Sequence, residues 1–478
     1  MPAKKKKEKK EVVQKTILPV EPPLYLRGYF PVLIIALLAF LVYAPTLRYD
    51  FSPMDERWLI ISQKELMSHL SNLPVLFRSS MMGMYYRPVC ASSFMFDLIL
   101  GNGSPFIFHF TNILLHVLCS VLLFRFFLQL TISRPLALIS ALIFAVHPIS
   151  VHAVAWIPGR NDSLLCLFTV LSCSQLVLYF NTRKAIYLVI HLLAFCLALF
   201  SKENAVLLPL LYFLLWFLFQ ERKEFRKLVV PVLSWLVIGV SWFFIRKHVV
   251  DYFPPVTSAT TGKSLLNFLK ALTAYTGKFI LPVDQSVMPV LRDMSLISYL
   301  IATLLLIAAT LKFGLRDKKI ALFGFIWFYI FLFLPAWVGA TDSNGDQYEH
   351  RIYTSLIGAF LFLSQLKISI DPALARKLSV ILLIVFSVKT IARCTVYTDE
   401  FSFLQAATAE SPSVSLFHDM LGYKYVERKD YQNAIESFSE AIRLDPNRYE
   451  FYNHRGSAYF DTKNYKLAMD DFNKTISG

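Results

Sequence analysis

The sequence predicts an all-α fold in two parts: a polytopic membrane helical bundle of about eleven spans, followed by a C-terminal α-solenoid. The 478 residues are 56% hydrophobic and only 17% charged, with a mean hydropathy of +0.51, whereas a soluble domain averages about 25% charged residues. Apolar runs long enough to cross a bilayer recur up to residue 393. A 34-residue period follows them, which is typical of stacked helix pairs.

The charge distribution argues against a nucleic-acid-binding protein. The net charge is +15, but lysine and arginine occur in short clusters between apolar runs, as in the loops of membrane proteins. The six cysteines predict neither a disulfide framework nor a zinc cluster. Four lie inside apolar runs and two stand alone: Cys119, Cys166, Cys173 and Cys196, and then Cys90 and Cys394.

A lysine-rich tail at residues 1–28 precedes the first apolar run, at 29–47. We interpret this run as a signal anchor, because it is long enough to span a bilayer and lacks a small-x-small cleavage signal. The positive-inside rule places the tail in the cytoplasm and residues 48–104 in a first outer loop. The sequence leaves open whether the outer face is a bacterial periplasm, a cell exterior or the lumen of the endoplasmic reticulum.

Ten further runs complete a membrane domain over residues 29–393, at roughly 105–130, 134–157, 162–180, 185–201, 204–220, 228–246, 296–312, 320–339, 352–368 and 377–393. In this eleven-span arrangement, the basic links between runs all fall on the cytoplasmic side. Residues 264–283 would invert that pattern as a twelfth span, so we predict a re-entrant or interfacial helix there. An odd number of spans places the C-terminus on the outer face, with the first outer loop.

Residues 394–478 have the spacing of a tetratricopeptide repeat, with a half repeat at 399–412, a full repeat at 415–448 and a partial repeat at 449–478. Small residues let paired helices approach and large ones fill the seams. Arg455 stands where the repeat expects a leucine. We expect the array to bind an extended polypeptide or a partner helix. Such arrays usually need about three repeats, so its completeness is left open. The predicted packing positions are Leu421, Gly422, Tyr425, Ala434, Phe438, Ala441, Pro446, Gly456, Tyr459, Ala468 and Phe472.

Four groups of polar residues at the predicted outer face are not explained by the membrane. An ionisable side chain near a bilayer is costly and therefore a functional candidate. Simpler interpretations also stand: a solvated acidic loop, aromatic anchors with a snorkelling arginine, or ion pairs at helix ends. His147 and His152 are five residues apart, which is not a helical ligand pair, so we predict no metal site. The groups are Asp55 with Glu56; Tyr86 with Arg87; His147, His152, Arg160 and Asp162; and Lys202 and Glu203 with Glu349, Arg351 and Tyr353.

In order and topology, these elements resemble the GT-C superfamily of polyprenyl-phosphate-sugar-dependent glycosyltransferases, and within it the membrane O-mannosyltransferases with tetratricopeptide repeats. The resemblance covers nearly the whole chain from residue 29. Its marks are the acidic pair after the first span, YRP at 86–88, HP…AVAWIPGR-D at 147–162, SKE at 201–203, the E-x-R-x-Y element at 349–353 and the repeats. No single motif is decisive.

The resemblance implies inverting transfer of mannose or a similar hexose from a dolichyl or polyprenyl phosphate to Ser/Thr hydroxyls of a polypeptide, at the extracytoplasmic face. It implies no cofactor and no divalent metal. Asp55 matches the position of the catalytic base, and Glu56 adjoins it. Candidates to neutralise the donor phosphate are Arg87, Arg160, Lys202 and Arg351, and supporting or substrate-binding candidates are Tyr86, His147, His152, Asp162, Glu203, Glu349 and Tyr353.

Two departures from the family pattern concern the acids. Glu56 stands where relatives commonly have aspartate, which keeps a carboxylate, whereas the stretch with Ser150 and His152 lacks the glutamate that relatives have there. Three alternatives stay open: a transferase of the same superfamily acting on a glycolipid or cell-wall polymer, a transporter or flippase, and a non-catalytic scaffold displaying the repeats. The repeats favour a peptide partner, and polar residues on one face argue against a transporter.

Overall fold

The computed structural model describes residues 23–52, 55–220, 224–250, 261–341 and 348–477. Over these residues the predicted all-α class is confirmed, with two isolated β-bridges and no strand. The helices of the first part are α1 (Phe30–Tyr43), α2 (Pro88–Gly101), α3 (Pro105–Gln129), α4 (Arg134–Val146), α5 (Arg160–Thr182), α6 (Ala185–Leu199), α7 (Leu208–Phe219), α8 (Arg226–Val249), α9 (Thr261–Ile280), α10 (Leu296–Phe313), α11 (Lys318–Thr341), α12 (Leu356–Leu363) and α13 (Pro372–Cys394). The C-terminal array contains α14 (Glu400–Glu410), α15 (Ser415–Glu427), α16 (Tyr431–Leu444), α17 (Tyr449–Asp461) and α18 (Tyr465–Ser477).

Prolines mark the start of several helices, and a residue with a left-handed backbone conformation ends one of them. Pro88 and Pro105 stand at the start of α2 and α3, where a missing backbone N–H costs nothing. Asn102, with a φ of 47°, ends α2, because asparagine tolerates the left-handed conformation. Two helices therefore follow one another across a tight turn, and Arg87 lies immediately before the first of them.

Within the described residues, seven helical segments are long and apolar enough to cross a membrane, or eight if the pair Arg134–Val146 and Pro148–Val154, bent by 50°, is one span. The seven are Phe30–Arg48, Pro105–Gln129, Ile157–Thr182, Arg226–Val249, Leu296–Phe313, Lys318–Ala340 and Pro372–Tyr397. Ala185–Leu199 and Glu203–Phe219 are apolar but shorter, and the run 352–368 is an α-helix only over the 8 residues of α12. The chain is an integral multi-pass membrane protein, and eleven spans stays a prediction.

Close packing of α11 against α12 depends on two glycines. A Cβ added at Gly324 would lie 2.6 Å from the carbonyl oxygen of Gly358, and one added at Gly358 would lie 2.4 Å from that of Gly324. Small residues commonly let membrane helices bring their backbones together in this way. Helix α11 also contacts the 3₁₀ turn Glu349–Ile352, which carries candidate site residues.

The predicted re-entrant or interfacial segment is helix α9, which lies antiparallel to α11. Phe268 packs against Phe333, and farther along α9 Phe279 packs against Phe328, which lies earlier in α11. Helix α9 is not among the seven span-length segments found within the described residues. Lys278, in the last turn of α9, is buried inside the protein. Helix α9 therefore places a positively charged side chain in the interior.

In the repeats, Gly422 and Gly456 occupy equivalent positions, 34 residues apart. A Cβ at Gly422 would come 2.6 Å from the ring of Phe438, and one at Gly456 would come 2.9 Å from the ring of Phe472. Arg455, in place of the expected leucine, forms an ion pair of 2.8 Å with Asp471 in the following helix. Of the remaining packing positions, Leu421, Ala434, Ala441 and Ala468 are buried, Tyr425 and Tyr459 are half-buried, and Pro446 is exposed.

Hydrogen bonds fasten the array to the membrane domain between residues 286–293 and 410–413. Ser411 Oγ donates to the Met288 carbonyl at 2.7 Å, and Ser413 Oγ donates to Asp293 at 2.6 Å. Glu410 accepts the backbone N–H of Val287 at 3.0 Å and pairs with Arg393 at the end of α13. The first residues of the array are therefore held against a loop that follows α9.

A backbone hydrogen bond joins the two ends of the membrane domain. The N–H of Asp50 donates to the carbonyl of Thr398 at 3.0 Å. Asp50 follows the first span-length segment and Thr398 follows the last. The segment leading to Asp55 and the segment leading to the array therefore lie side by side on one end of the bundle.

Candidate active site

Asp55 and Glu56 open a short helical turn after the first span, which continues as the π-helix Arg57–Ile61. Glu56 is 1% exposed and accepts hydrogen bonds from Ser52 Oγ at 2.7 Å and from the indole Nε1 of Trp156 at 3.3 Å. Burial raises the pKa of Glu56 to about 8, because its effect exceeds that of the hydrogen bonds. The Glu56 carboxyl is therefore mostly protonated near neutral pH.

Asp55 occupies a different environment from its neighbour. Burial raises the pKa of Asp55, but the Arg87 guanidinium opposes that shift. Asp55 is also only half-buried, whereas Glu56 is buried. Two carboxyl groups whose surroundings separate their pKa values divide into a proton acceptor and a neutral partner. In this pair, Asp55 is the more exposed carboxyl group and the one beside a cation.

Arg87 is held in place by Glu203 and by aromatic contact. Its Nε and Nη2 donate to Glu203 Oε2 at 2.9 and 2.8 Å. The other Glu203 oxygen accepts the backbone N–H of Tyr86 at 3.2 Å. The ring of Tyr85 lies 4.0 Å from the guanidinium carbon. Because a guanidinium has five N–H donors, this arrangement leaves donors of Arg87 for an anion.

A second ion pair lies beside the first. Lys202 Nζ donates to Asp162 at 2.5 Å, and both side chains are buried. His350 Nε2 lies 3.9 Å from the same Asp162 oxygen. Because Lys202 and Glu203 are consecutive in the chain, the pairs Lys202–Asp162 and Arg87–Glu203 are adjacent. The charge of Arg87 acts both on Lys202 and on Asp55, so the two ion pairs lie on the side of Asp55.

His152 and His350 form the aromatic part of this cluster. Their ring centres are 4.8 Å apart at an interplanar angle of 83°, and Trp156 lies 5.0 Å from His152 and 5.4 Å from His350. Burial, with His152 adjoining, lowers the pKa of His350 well below its ordinary value, so its ring is uncharged at neutral pH. Among the described residues, no three His, Cys, Asp or Glu side chains are arranged to bind a metal ion.

The E-x-R-x-Y element contributes to both sides of the cluster. Glu349 pairs with Lys278 at 2.5 Å, with each side chain 2% exposed, and accepts the backbone N–H of Ser286 at 3.0 Å. Arg351 lies with its guanidinium carbon 4.9 Å from the ring centre of Tyr348, and its charge acts on the neighbouring His350. Glu349 thereby connects the cluster to α9 and to the loop that holds the array.

Arg160 lies elsewhere. Its guanidinium is 0% exposed and pairs with Asp97 at 2.6 Å, while Nε donates to Asn112 Oδ1 at 2.7 Å and Nη2 to the Phe108 carbonyl at 2.8 Å. Asn112 in turn donates to the carbonyl of Trp156 at 3.3 Å. These contacts bind α2, α3 and α5 together and hold the segment that presents Trp156 to Glu56. The contacts of the Arg160 guanidinium thus connect helices and do not include any residue of the cluster around Arg87.

Three more predicted residues are engaged in contacts within the fold. His147 lies with Nε2 3.1 Å from the Phe279 carbonyl and accepts a backbone N–H through Nδ1. The hydroxyl of Tyr353 is 2.7 Å from His116 Nδ1. Tyr86 donates its hydroxyl to a backbone carbonyl at 2.9 Å. All three side chains are buried, so they position the segments that carry Arg87, His152 and Arg351.

Three residues of the cluster are not among those predicted from the sequence: Trp156, His350 and Lys278. Trp156 and His350 belong to the same motifs as the predicted residues Arg160 and Glu349. Their position within those motifs could have identified them. Lys278 lies in an apolar segment, where a cation is costly to bury. That cost was a usable signal for a site residue.

Comparison with known proteins matches both parts of the chain. Residues 93–245 match the family model for dolichyl-phosphate-mannose-protein mannosyltransferase, and residues 422–463 match that for the TPR repeat. The chain is 34% identical over 142 residues to protein O-mannosyl-transferase TMTC1 of Mus musculus, covering 28% of this chain and 15% of that protein. It is 24% identical over 388 residues to a protein O-mannosyl-transferase of Caenorhabditis elegans, covering 76% of this chain and 54% of that protein. No solved structure matches the chain.

The chain spans about half or less of the length of these curated relatives. The mannosyltransferase match includes Arg160, Asp162, Lys202 and Glu203, and the repeat match includes Gly422 and Phe438. Both parts of the predicted resemblance are therefore confirmed. The chain therefore combines a membrane segment similar to the protein O-mannosyl-transferases with C-terminal tetratricopeptide repeats.

Proposed function

We propose that the protein transfers mannose or a similar hexose from a polyprenyl or dolichyl phosphate to Ser/Thr hydroxyls of a polypeptide, at the extracytoplasmic face. The observation that carries this proposal is the meeting of a half-buried Asp55, a neutral Glu56 and the cations Arg87 and Lys202 in one cluster. Such a cluster combines a proton acceptor with positive charge, which are the two requirements of glycosyl transfer from a phosphate.

The chemistry is a single displacement at the anomeric carbon. Asp55 accepts the proton of the acceptor hydroxyl as its oxygen bonds to the anomeric carbon. The bond from that carbon to the donor phosphate breaks, and the phosphate leaves with the electron pair. Because attack and departure occur on opposite faces of the sugar, the configuration inverts. The leaving phosphate needs positive charge but no proton.

The cations that receive the phosphate are Arg87, Lys202 and Arg351. Arg87 and Lys202 are already oriented by Glu203 and Asp162, so little reorganisation is needed when an anion binds. Arg160 is left out of this group, since its donors serve Asp97, Asn112 and Phe108. The residues present do not require a divalent metal in order to place positive charge at the phosphate.

An apolar cavity suits part of the lipid chain of the donor. It has a volume of about 400 Å³ and lies between α9, α10, α11 and α12. Its lining includes Phe279, the residue after Lys278, whose ammonium group is buried in the charged cluster. The cavity and the cluster therefore adjoin at the last turn of α9, as a lipid with a charged head requires.

The placement of the repeats supports a polypeptide acceptor. The hydrogen bond between Asp50 and Thr398 sets the start of the array on the side of Asp55. A cytoplasmic lysine tail and an odd number of spans would put both on the outer face. The array would then receive an acceptor in the compartment where the acids lie.

The test measures transfer of radiolabelled sugar from a panel of polyprenyl-phosphate sugars into protein and lipid, in membranes containing wild type, Asp55→Asn or Glu65→Gln. Glu65 is an exposed acid of the same loop and serves as the matched control. Label in protein with wild type and Glu65→Gln but not with Asp55→Asn is the expected result. Label in lipid would indicate a glycolipid acceptor. No Asp55-dependent label in either fraction, with folded protein, would favour a transporter or scaffold.

A further inference from the structure

A small groove lies on the first outer loop, directly after the acidic pair. Its volume is about 120 Å³, well below the roughly 300–1,000 Å³ of a small-molecule site. The floor of the groove is apolar and buried, whereas its rim is more exposed and contains both apolar and polar side chains. The floor includes Met67 and Leu76, and the rim includes Trp58, Met82, Gln63 and Ser79.

The groove is bounded by the two segments that carry Asp55 and Arg87. Trp58, on one rim, lies three residues after Asp55, on the helical turn that Asp55 opens. Met82, on the other rim, belongs to a turn closed by a 2.7 Å hydrogen bond from the N–H of Met81 to the carbonyl of Tyr85. The ring of Tyr85 then lies against the Arg87 guanidinium. The groove therefore lies between the segment that carries Asp55 and the segment that leads to Arg87.

Both rims have unusual backbone. Trp58 is part of the π-helix Arg57–Ile61, a rare form that occurs frequently at functional sites. Met82 is a non-glycine residue with a φ of 53°, which costs backbone energy and persists where the surroundings hold it. Both side chains are nevertheless exposed at the protein surface, Trp58 by 64% and Met82 by 42%. Neither exposure is explained by packing within the fold.

Resting on the proposed function, we propose that this groove binds one apolar side chain of the acceptor polypeptide, close to the residue whose hydroxyl reaches Asp55. Within the described residues its lining contains no charged side chain, so an apolar group is favoured over an ionic one. Methionine adapts to side chains of different shape, and tryptophan offers a large contact area. Gln63 and Ser79 supply polar groups on the rim for the backbone of an extended peptide. The groove thus gives the enzyme a preference for sequence around the modified residue.

The first test compares two acceptor peptides with one Ser/Thr each, flanked either by leucine or by glycine, on wild type, Trp58→Ala and Ile61→Ala. Ile61 is the matched control, since it is 49% exposed on the same π-helix but does not line the groove. We expect Trp58→Ala to raise the KM for the leucine peptide about tenfold, with the KM values for the glycine peptide and the donor unchanged. Ile61→Ala should change none of them. Equal KM values for both peptides on wild type, or equal effects of both variants, would overturn the proposal.

The second test locates the peptide without requiring turnover. A leucine-flanked peptide with a photoreactive leucine is cross-linked to Asp55→Asn protein, and a photoreactive phospholipid is cross-linked in parallel. Peptide adducts on the segments 58–67 or 76–82 are expected. Lipid adducts there without peptide adducts would show that the bilayer covers the groove, and peptide adducts elsewhere would also overturn the proposal. Peptide adducts in the groove with no transfer by wild type would refute the proposed function while the groove stands.

Discussion

The indole Nε1 of Trp156 donates a hydrogen bond of 3.3 Å to the Glu56 carboxyl, which lies 100 residues earlier in the chain. This contact brings the AVAWIPGR motif to the acidic pair after the first span. It also opposes the effect of burial on Glu56.

Glu56 should make the folded protein less stable as the pH rises. Its folded pKa of about 8 exceeds its ordinary value of 4.5, so the folded state binds the extra proton. That stabilising contribution is fully present below pH 4.5 and is lost as pH rises through about 8. We expect the wild type to lose on the order of a few kcal/mol of unfolding free energy across this range. Thermal unfolding in detergent should show this loss in Glu65→Gln but not in Glu56→Gln.

Trp156→Phe should shift the pH dependence of sugar transfer on its alkaline side. The substitution retains an aromatic ring but removes the N–H that lowers the pKa of Glu56. The pKa of Glu56 should therefore rise above about 8, and the loss of activity from ionising Glu56 should move to higher pH. Rates measured from pH 5 to 10 test this. An alkaline limb that stays in place or moves to lower pH would contradict the assignment of Glu56 as the neutral partner.

Arg87→Lys should weaken use of the donor. A lysine keeps the charge but cannot form the fork that engages Glu203 and a phosphate together. We expect kcat/KM for the polyprenyl-phosphate sugar to fall about tenfold to hundredfold. Arg78→Lys, an exposed position in the same loop, is the control and should leave kcat/KM unchanged. Equal effects of the two substitutions would argue against a donor-binding role for Arg87.

Arg160→Met should destabilise the protein by roughly 3–5 kcal/mol, because it leaves Asp97 as a buried, unpaired charge. The double variant Asp97→Leu with Arg160→Met should recover most of that loss, since both charges are gone. Unfolding in detergent measures both. The double variant should also retain the wild-type KM for the donor. A strongly raised KM in a stable double variant would return Arg160 to the phosphate-binding group.

Gly422→Ala should loosen the array. The added methyl would lie 2.6 Å from the Phe438 ring, and such overpacking typically costs about 1–3 kcal/mol. Gly239→Ala, in α8, is the control, because no atom lies within 4 Å of its added Cβ. Limited proteolysis should cut the array faster in Gly422→Ala than in wild type or Gly239→Ala. Unchanged cleavage of the array would show that the helices can separate without cost.

Much of the architecture follows from local sequence. Apolar runs predict the membrane helices, and the 34-residue spacing predicts the contacts of Gly422 and Gly456 with their phenylalanines. The number of spans is harder to predict, because an apolar run does not show how much of it becomes helix. The run 352–368 illustrates this, since its α-helix has only 8 residues.

The candidate site follows from the sequence only in part. The motifs marked Asp55, Arg87, Lys202 and Glu203, and the structure brings these residues together. The partners of Arg160 are 48 and 63 residues earlier, at Asn112 and Asp97. Nothing in one sequence identifies such distant pairs. The sequence alone therefore does not distinguish a motif arginine that binds a ligand from one that holds three helices together.

The hydrogen bond between Asp50 and Thr398, with the contacts of Ser411 and Ser413, gives the array a fixed origin. Because these contacts involve only the start of the array, a longer array could keep them unchanged. Repeats added at the free end would extend the reach of the array toward an acceptor while the acidic pair kept its place relative to the first repeat. Substitutions in the array would then change which acceptor polypeptides are reached, whereas substitutions in the membrane domain would change the sugar-transfer step itself.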